Sequence, residues 1–235
     1  MINSDIQLDM LQRVAEALGP DLREKMTFVG GCTTGLLVTD EFTREQIRHT
    51  DDVDLIMHVM SYTSYSALQQ ELQAHGFKIE VPDDDGAPIC AMKLGDLRVD
   101  FMPDDENVLG FTNRWYRKAM ETSTYFNLAP ELSINLISPV YFIATKLEAY
   151  NGRGKGDPLE SRDIEDILNL VDGRPELVNE ISTAENDLKI YISQQIEVLI
   201  KLSDFDYAIQ SHTYGDKARE DEIYERLEKI IEIGK

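Results

Sequence analysis

Arg48-His49-Thr50-Asp51-Asp52-Val53-Asp54-Leu55-Ile56 runs from a polar approach into an apolar stretch, and the fold turns on that junction. From Asp52 onward the residues suit a β-strand. Side chains alternate along a strand, so Asp52 and Asp54 project from one face. Two carboxylates at that spacing repel each other unless a cation lies between them. Mg²⁺ takes oxygen ligands, commonly one or two carboxylates together with phosphate and water. The pair therefore points to metal-assisted chemistry at phosphate.

Upstream, Met26 to Val29 reads as a short strand that feeds Gly30-Gly31-Cys32-Thr33-Thr34, with a short helix around Leu36 to Val38. A Gly-Gly turn permits close backbone approach, and its N–H groups suit a phosphate. Downstream, a strand over 52–60 precedes a helix over 62–75 that Gly76 closes. Two strand-like runs, 89–94 and 97–102, then flank Gly95-Asp96, a two-residue hairpin turn. In the second run Arg98, Asp100 and Met102 share a face, which makes Asp100 a third candidate carboxylate. Residues 4–18 carry apolar side chains at helical spacing, ended by Gly19-Pro20. A short helix over 114–120 and a strand over 133–137 complete this half.

From Pro139 the pattern becomes helical. Phe142, Ile143, Lys146, Leu147 and Tyr150 recur at helical spacing, and Asn151 to Gly156 breaks the run. Asp157 is expected to cap the next helix, with Pro158 at its first position and Ile164, Ile167, Leu168 and Val171 as its apolar stripe. Further helices fill 174–233, with Tyr214-Gly215-Asp216 separating the last two. The expected fold is α/β of the α+β kind: a small mixed-sheet core over 1–138, then an all-helical part over 139–235.

The net charge is −21 over 235 residues. Residues 160–235 hold nineteen acidic side chains against nine basic ones, which argues against a nucleic-acid clamp there. Basic residues gather instead at Arg44, Arg48, Arg114, Arg117, Lys118, Lys146, Arg153, Lys155 and Arg162. No long uncharged apolar run or secretory leader is seen, so no membrane partner is expected. Two cysteines fit a reducing, cytoplasmic setting. Asp83-Asp84-Asp85 and Asp104-Asp105-Glu106 read as solvated loops, and the four histidines form no spaced metal set with cysteine. Arg114-Trp115-Tyr116-Arg117-Lys118 interleaves aromatics with positive charge, as a base-stacking surface does, but an amphipathic helix with Trp115 partly buried is the preferred reading.

The order Gly-Gly, Asp-x-Asp, later strand aspartate resembles the signature of the DNA polymerase β-type nucleotidyltransferase superfamily. Arg48-x-Thr50-x-Asp52-Val53-Asp54-Leu55 looks like the first motif of its AbiEii-type members. The helix from Ile137 to Tyr150 with Lys146, then Arg153 and Ser161-Arg162-Asp163-Ile164-Glu165-Asp166-Ile167, looks like their lysine-helix motif. By this resemblance, spanning residues 26 to 172, Asp52, Asp54 and Asp100 are catalytic ligands of Mg²⁺ (or Mn²⁺), and Lys146 contacts nucleotide phosphates. Gly30, Gly31, Thr33, Arg48, Arg153 and Asp163 complete the nucleotide site. Cys32 stands where the family usually carries Ser or Thr. The implied activity moves NMP from an NTP to an acceptor hydroxyl, on a tRNA end or a partner protein, as in toxin–antitoxin and phage-defence systems with a cognate antitoxin. The alternatives are an aminoglycoside-like small acceptor and a non-catalytic interaction protein on the same fold.

Overall fold

The computed structural model describes residues 3–79, 89–153 and 156–235; Asp83-Asp84-Asp85 and Lys155 lie outside them. In chain order the elements begin α1 (Asn3–Arg23), β1 (Met26–Val29), α2 (Thr34–Leu37), α3 (Glu41–Gln46), β2 (Asp52–Met57), α4 (Tyr62–Ala74), β3 (Lys78–Ile79), β4 (Ala91–Leu94) and β5 (Leu97–Pro103). Then follow α5 (Glu106–Leu109), α6 (Tyr116–Glu121), β6 (Thr124–Ala129), β7 (Leu132–Leu136), α7 (Pro139–Arg153) and α8 (Arg162–Gly173). The chain closes with α9 (Leu177–Thr183), α10 (Asn186–Leu199), α11 (Ser203–His212) and α12 (Lys217–Ile233). This is the mixed α/β architecture expected, with a helical C-terminal part. Among the described residues no helix is long and apolar enough to cross a membrane.

The chain forms two compact units. One comprises Met1–Thr33 with Arg48–Ser138, the other Thr34–Ile47 with Pro139–Lys235.

The first unit holds a seven-stranded mixed sheet in the order β3-β4-β5-β2-β1-β7-β6. β2 lies in its middle, antiparallel to β1 and parallel to β5. Strands hemmed in on both sides read as apolar, and Val53, Leu55, Phe28, Val99 and Phe101 are all buried. The hairpin turn is as expected: Gly95 takes φ 66° at its first central position, where a type II′ turn favours glycine. α1 breaks at Gly19 (φ 67°), and Pro20 opens a short second piece reaching Arg23. β6, an exposed edge strand paired with β7, was not foreseen.

In the helical unit α8 is buried along nearly its whole length, against α7, α11, α12 and α3. It starts at Arg162, not at Pro158. Asp157 accepts from the Leu159 N–H in a turn of its own, and the extended Ser161 caps α8 by accepting from the Ile164 N–H. Segment 34–47 packs on the far end of this helix. The Thr39 and Asp40 N–H groups both donate to the Gly173 carbonyl at 2.9 Å, and Arg174 Nη1 donates to the Leu37 carbonyl at 2.7 Å. A Cβ on Gly173 would meet Val38 at 2.6 Å, so only glycine fits that approach.

Asp172, next to that glycine, is buried and accepts hydrogen bonds from Thr43 Oγ1, His212 Nε2 and Arg219. Burial works to raise its pKa, but the bonds and charges of His212 and Arg219 outweigh it and lower the value from 3.8 to about 2. A carboxylate whose folded pKa lies below its unfolded one stabilises the fold above the unfolded value, and that stabilisation fades as pH falls toward the folded value. Acid unfolding of the wild type is therefore expected to steepen between about pH 4 and pH 2, by on the order of 2 kcal/mol. Asp172→Asn is expected to lose that slope in urea melts at stepped pH. An unchanged slope would remove Asp172 as its source.

Candidate metal centre

Strand register brings the three aspartates together. Asp54 pairs with Asp100 across β2 and β5, and Asp52 lies two residues before it on the same face. One carboxylate oxygen from each residue lies within 4.8 Å of the other two. Asp52 and Asp54 are half-buried, whereas Asp100 is only 7% exposed. It is therefore no solvent-facing strand residue, although it sits on the face shared with Arg98 and Met102.

Neighbouring residues fix these carboxylates or make room for them. Arg98 grips Asp100 in a fork, with Nε donating to one oxygen at 2.9 Å and Nη2 to the other at 2.8 Å. Planar bidentate pairs of this kind fix geometry as well as charge. Thr50 Oγ1 donates to Asp52 Oδ1 at 2.6 Å. Val29 stands opposite Asp54 in the β1–β2 ladder, so the next residue, Gly30, runs beneath the Asp54 side chain. At φ 75°, a Cβ on Gly30 would fall 1.8 Å from Asp54 Oδ2. The chain needs glycine here to leave room for the carboxylate. Gly31 and Thr33 follow in a tight turn, closed by the Thr33 N–H and Oγ1 donating to the Gly30 carbonyl.

Both cysteines lie close to this acidic group and are buried. Burial first, then the charges of Asp54 and Asp52, push the Cys32 thiol far up; its S–H donates to the Gln7 carbonyl. Burial and the Asp100 and Asp54 carboxylates push Cys90 up to about 12. Among the described residues the converging ligand atoms come from the three aspartates, so the donors are oxygen. Hard carboxylate donors, a fork that fixes one of them and a glycine-made space beside another fit a small divalent cation such as Mg²⁺.

The other sequence candidates are held by the following elements. Arg48 opens the segment leading to β2, and its carbonyl accepts from Gln7 Nε2 at 2.9 Å. Arg153 is the last residue of α7. Lys146 and Asp163 belong to the helical unit, where buried Lys146 Nζ donates to Asp163 Oδ1 at 3.3 Å and pairs more closely, at 2.6 Å, with Asp166 Oδ2. Arg98, Thr50 and Asp166 were read in the sequence as parts of the motifs or of the Asp100 face but given no role of their own. Asp166 was legible in principle, since residues i and i+3 of a helix share a face, as do Asp163 and Asp166.

One surface reading is corrected, and the preferred reading of Trp115 as packed rather than presented holds. Asp104 is not a solvated loop residue: its side chain is buried between His58 Nδ1, at 2.9 Å, and Arg117 Nε, at 3.2 Å. Trp115 is 4% exposed, with the Arg114 guanidinium 4.9 Å over its ring, so it offers no platform to a nucleobase. Comparison with known proteins found no family model and no curated sequence that matches this chain.

Proposed function

We propose that this protein is a Mg²⁺-dependent nucleotidyltransferase that moves NMP from an NTP to an acceptor hydroxyl and releases pyrophosphate. The observation carrying this reading is the convergence of Asp52, Asp54 and Asp100 at the centre of the sheet, beside a glycine that no other residue can replace. When bound there, a divalent cation neutralises phosphate charge and lowers the pKa of an attacking hydroxyl.

The chain's own contribution is positioning. Arg98 holds both oxygens of Asp100, leaving their remaining lone pairs directed by the fork. Thr50 orients Asp52 through one oxygen and leaves the other open to a ligand. The neutral Cys32 adds no charge to a group that already carries three carboxylates. Phosphoryl chemistry asks for little covalent work from a protein, so such fixed geometry is the main thing required. Lys146, Asp163, Arg48 and Arg153 enter this proposal through the family resemblance alone. The acceptor we favour is a tRNA end or a partner protein, with a cognate antitoxin as the regulator.

The test is transfer of label from each α-labelled NTP, with Mg²⁺, to total tRNA, to a protein lysate or to aminoglycosides. Label is expected on one of the two macromolecular acceptors, and Lys146→Met is expected to lower it by ~10²-fold or more. Transfer to aminoglycosides alone would move the assignment to a small acceptor. No transfer to any of the three, with no NTP-dependent shift in melting, would leave a binding scaffold and sink the proposal.

A further inference from the structure

One side of α1 carries Leu11, Val14 and Leu18, all fully buried. At helical spacing that stripe runs back to residue 7, where the side chain is a glutamine. Gln7 is 2% exposed, and its Nε2 donates to the Arg48 carbonyl at 2.9 Å. A carbonyl only accepts, so the amide is fixed in orientation and its Oε1 points away. That oxygen is buried with no hydrogen-bond partner among the described residues. An unmet buried acceptor destabilises a fold, so packing alone would favour an apolar side chain here. What sets the glutamine apart is the bond made by its donor end.

Two segments of backbone meet at this residue. Besides the side-chain bond to Arg48, the main-chain carbonyl of Gln7 accepts from the Cys32 S–H at 3.7 Å. Arg48 leads into Thr50, whose hydroxyl holds Asp52. Cys32 lies in the turn that starts at Gly30, the glycine that makes room for Asp54. The ladder between β1 and β2 ends at Val29 and Asp54, so it reaches neither the turn over 30–33 nor the approach over 48–51. Gln7 ties the two together.

We infer that Gln7 is a positioning residue of the carboxylate centre, setting the 30–33 turn and the 48–51 approach at one separation so that Asp52 and Asp54 meet a cation together. The inference rests on the cation site proposed above.

Gln7→Met keeps the length of the side chain but cannot donate to Arg48. In manganese electron paramagnetic resonance on the full chain, its affinity is expected to fall about tenfold, as when residues behind metal ligands are replaced. Its melting temperature is expected to stay within about 3 °C of wild type, because the unmet acceptor leaves together with the bond. Gln12→Met is the control. Gln12 lies on the same helix and makes a like bond, from Nε2 to the Leu128 carbonyl at 3.0 Å, but on β6, beyond β1 and β7 from the carboxylates. That variant is expected to keep wild-type affinity. If Gln7→Met does not fold, the other end of the tie decides. Cys32→Ala is then expected to weaken Mn²⁺ binding, and Cys32→Ser, which keeps a donor for the Gln7 carbonyl, to retain it; equal affinities of these two would count against the inference. Undiminished affinity in Gln7→Met, or an equal loss in Gln12→Met, would overturn it and leave the cation site standing. A wild type that binds no Mn²⁺ would sink both.

Discussion

Asp54→Asn is expected to abolish both Mn²⁺ binding and nucleotide transfer while leaving the protein as stable as before or more so. The two effects share one cause. Three carboxylates with oxygens within 4.8 Å of one another repel in the fold, and the Arg98 fork on Asp100 offsets part of that repulsion. Two unit charges 4 Å apart interact by about 4 kcal/mol near a protein surface, so relieving part of that repulsion raises the melting temperature. Asparagine keeps the shape but removes the charge that holds a cation. Transfer is expected to fall by ~10³-fold or more, in line with losing a central electrostatic group. Asp52→Asn is expected to behave alike. Thermal melts and manganese electron paramagnetic resonance measure the two halves separately. Wild-type turnover in either variant would rule out the proposed chemistry, and a lower melting temperature would contradict the charge argument.

The second large effect is expected from Gly30→Ala. Two penalties coincide at this residue. Its φ of 75° is a left-handed conformation that costs a residue with a Cβ roughly 1–2 kcal/mol. The new methyl would also sit 1.8 Å from Asp54 Oδ2 and 2.6 Å from Asp54 Cγ, so the carboxylate must leave its place. Gly110 supplies the control, because it has φ 81° in the same unit with nothing within 4 Å of the added atom. Gly110→Ala is therefore expected to lower stability by the conformational share alone and to keep metal affinity. Gly30→Ala is expected to lose more stability and nearly all Mn²⁺ binding, even at temperatures where it stays folded. Equal behaviour of the two variants would show that the Asp54 clash has no consequence.

The alternation of β2 was legible in the sequence because it is a local property. Asp52 and Asp54 had to share a face, and Leu97, Val99 and Phe101 had to be buried if Asp100 lay opposite. The register that sets Asp54 beside Asp100 was not legible, since it depends on a parallel pairing between residues 46 positions apart that no local pattern encodes. Asp104 shows the same limit. Its neighbours do begin α5, with Asp105 half-buried as the cap and Glu106 exposed, but burial of Asp104 depends on Arg117 reaching back from α6. The start of α8 was misplaced for a different reason. Asp157-Pro158 has the composition of a helix cap, and its side chain does cap a turn. That turn ends at Glu160, where the extended Ser161 begins again. β6 escaped notice because an exposed edge strand carries little apolar alternation.

Segment 34–47 leaves the sheet-bearing unit after Thr33 and returns to it at Arg48, so the backbone passes between the two units three times, counting Ser138 to Pro139. Neither unit is a continuous stretch of chain. A gene fragment ending at residue 138 would carry fourteen residues severed from the carbonyl of Gly173 that receives two of their amides. The complementary fragment would lose the hydroxyl of Thr43 from Asp172 and the cover over Gly173. Dissection of this protein into separately expressed halves thus calls for a rewired connectivity, with 34–47 fused to the helical half and a short linker joining Thr33 to Arg48.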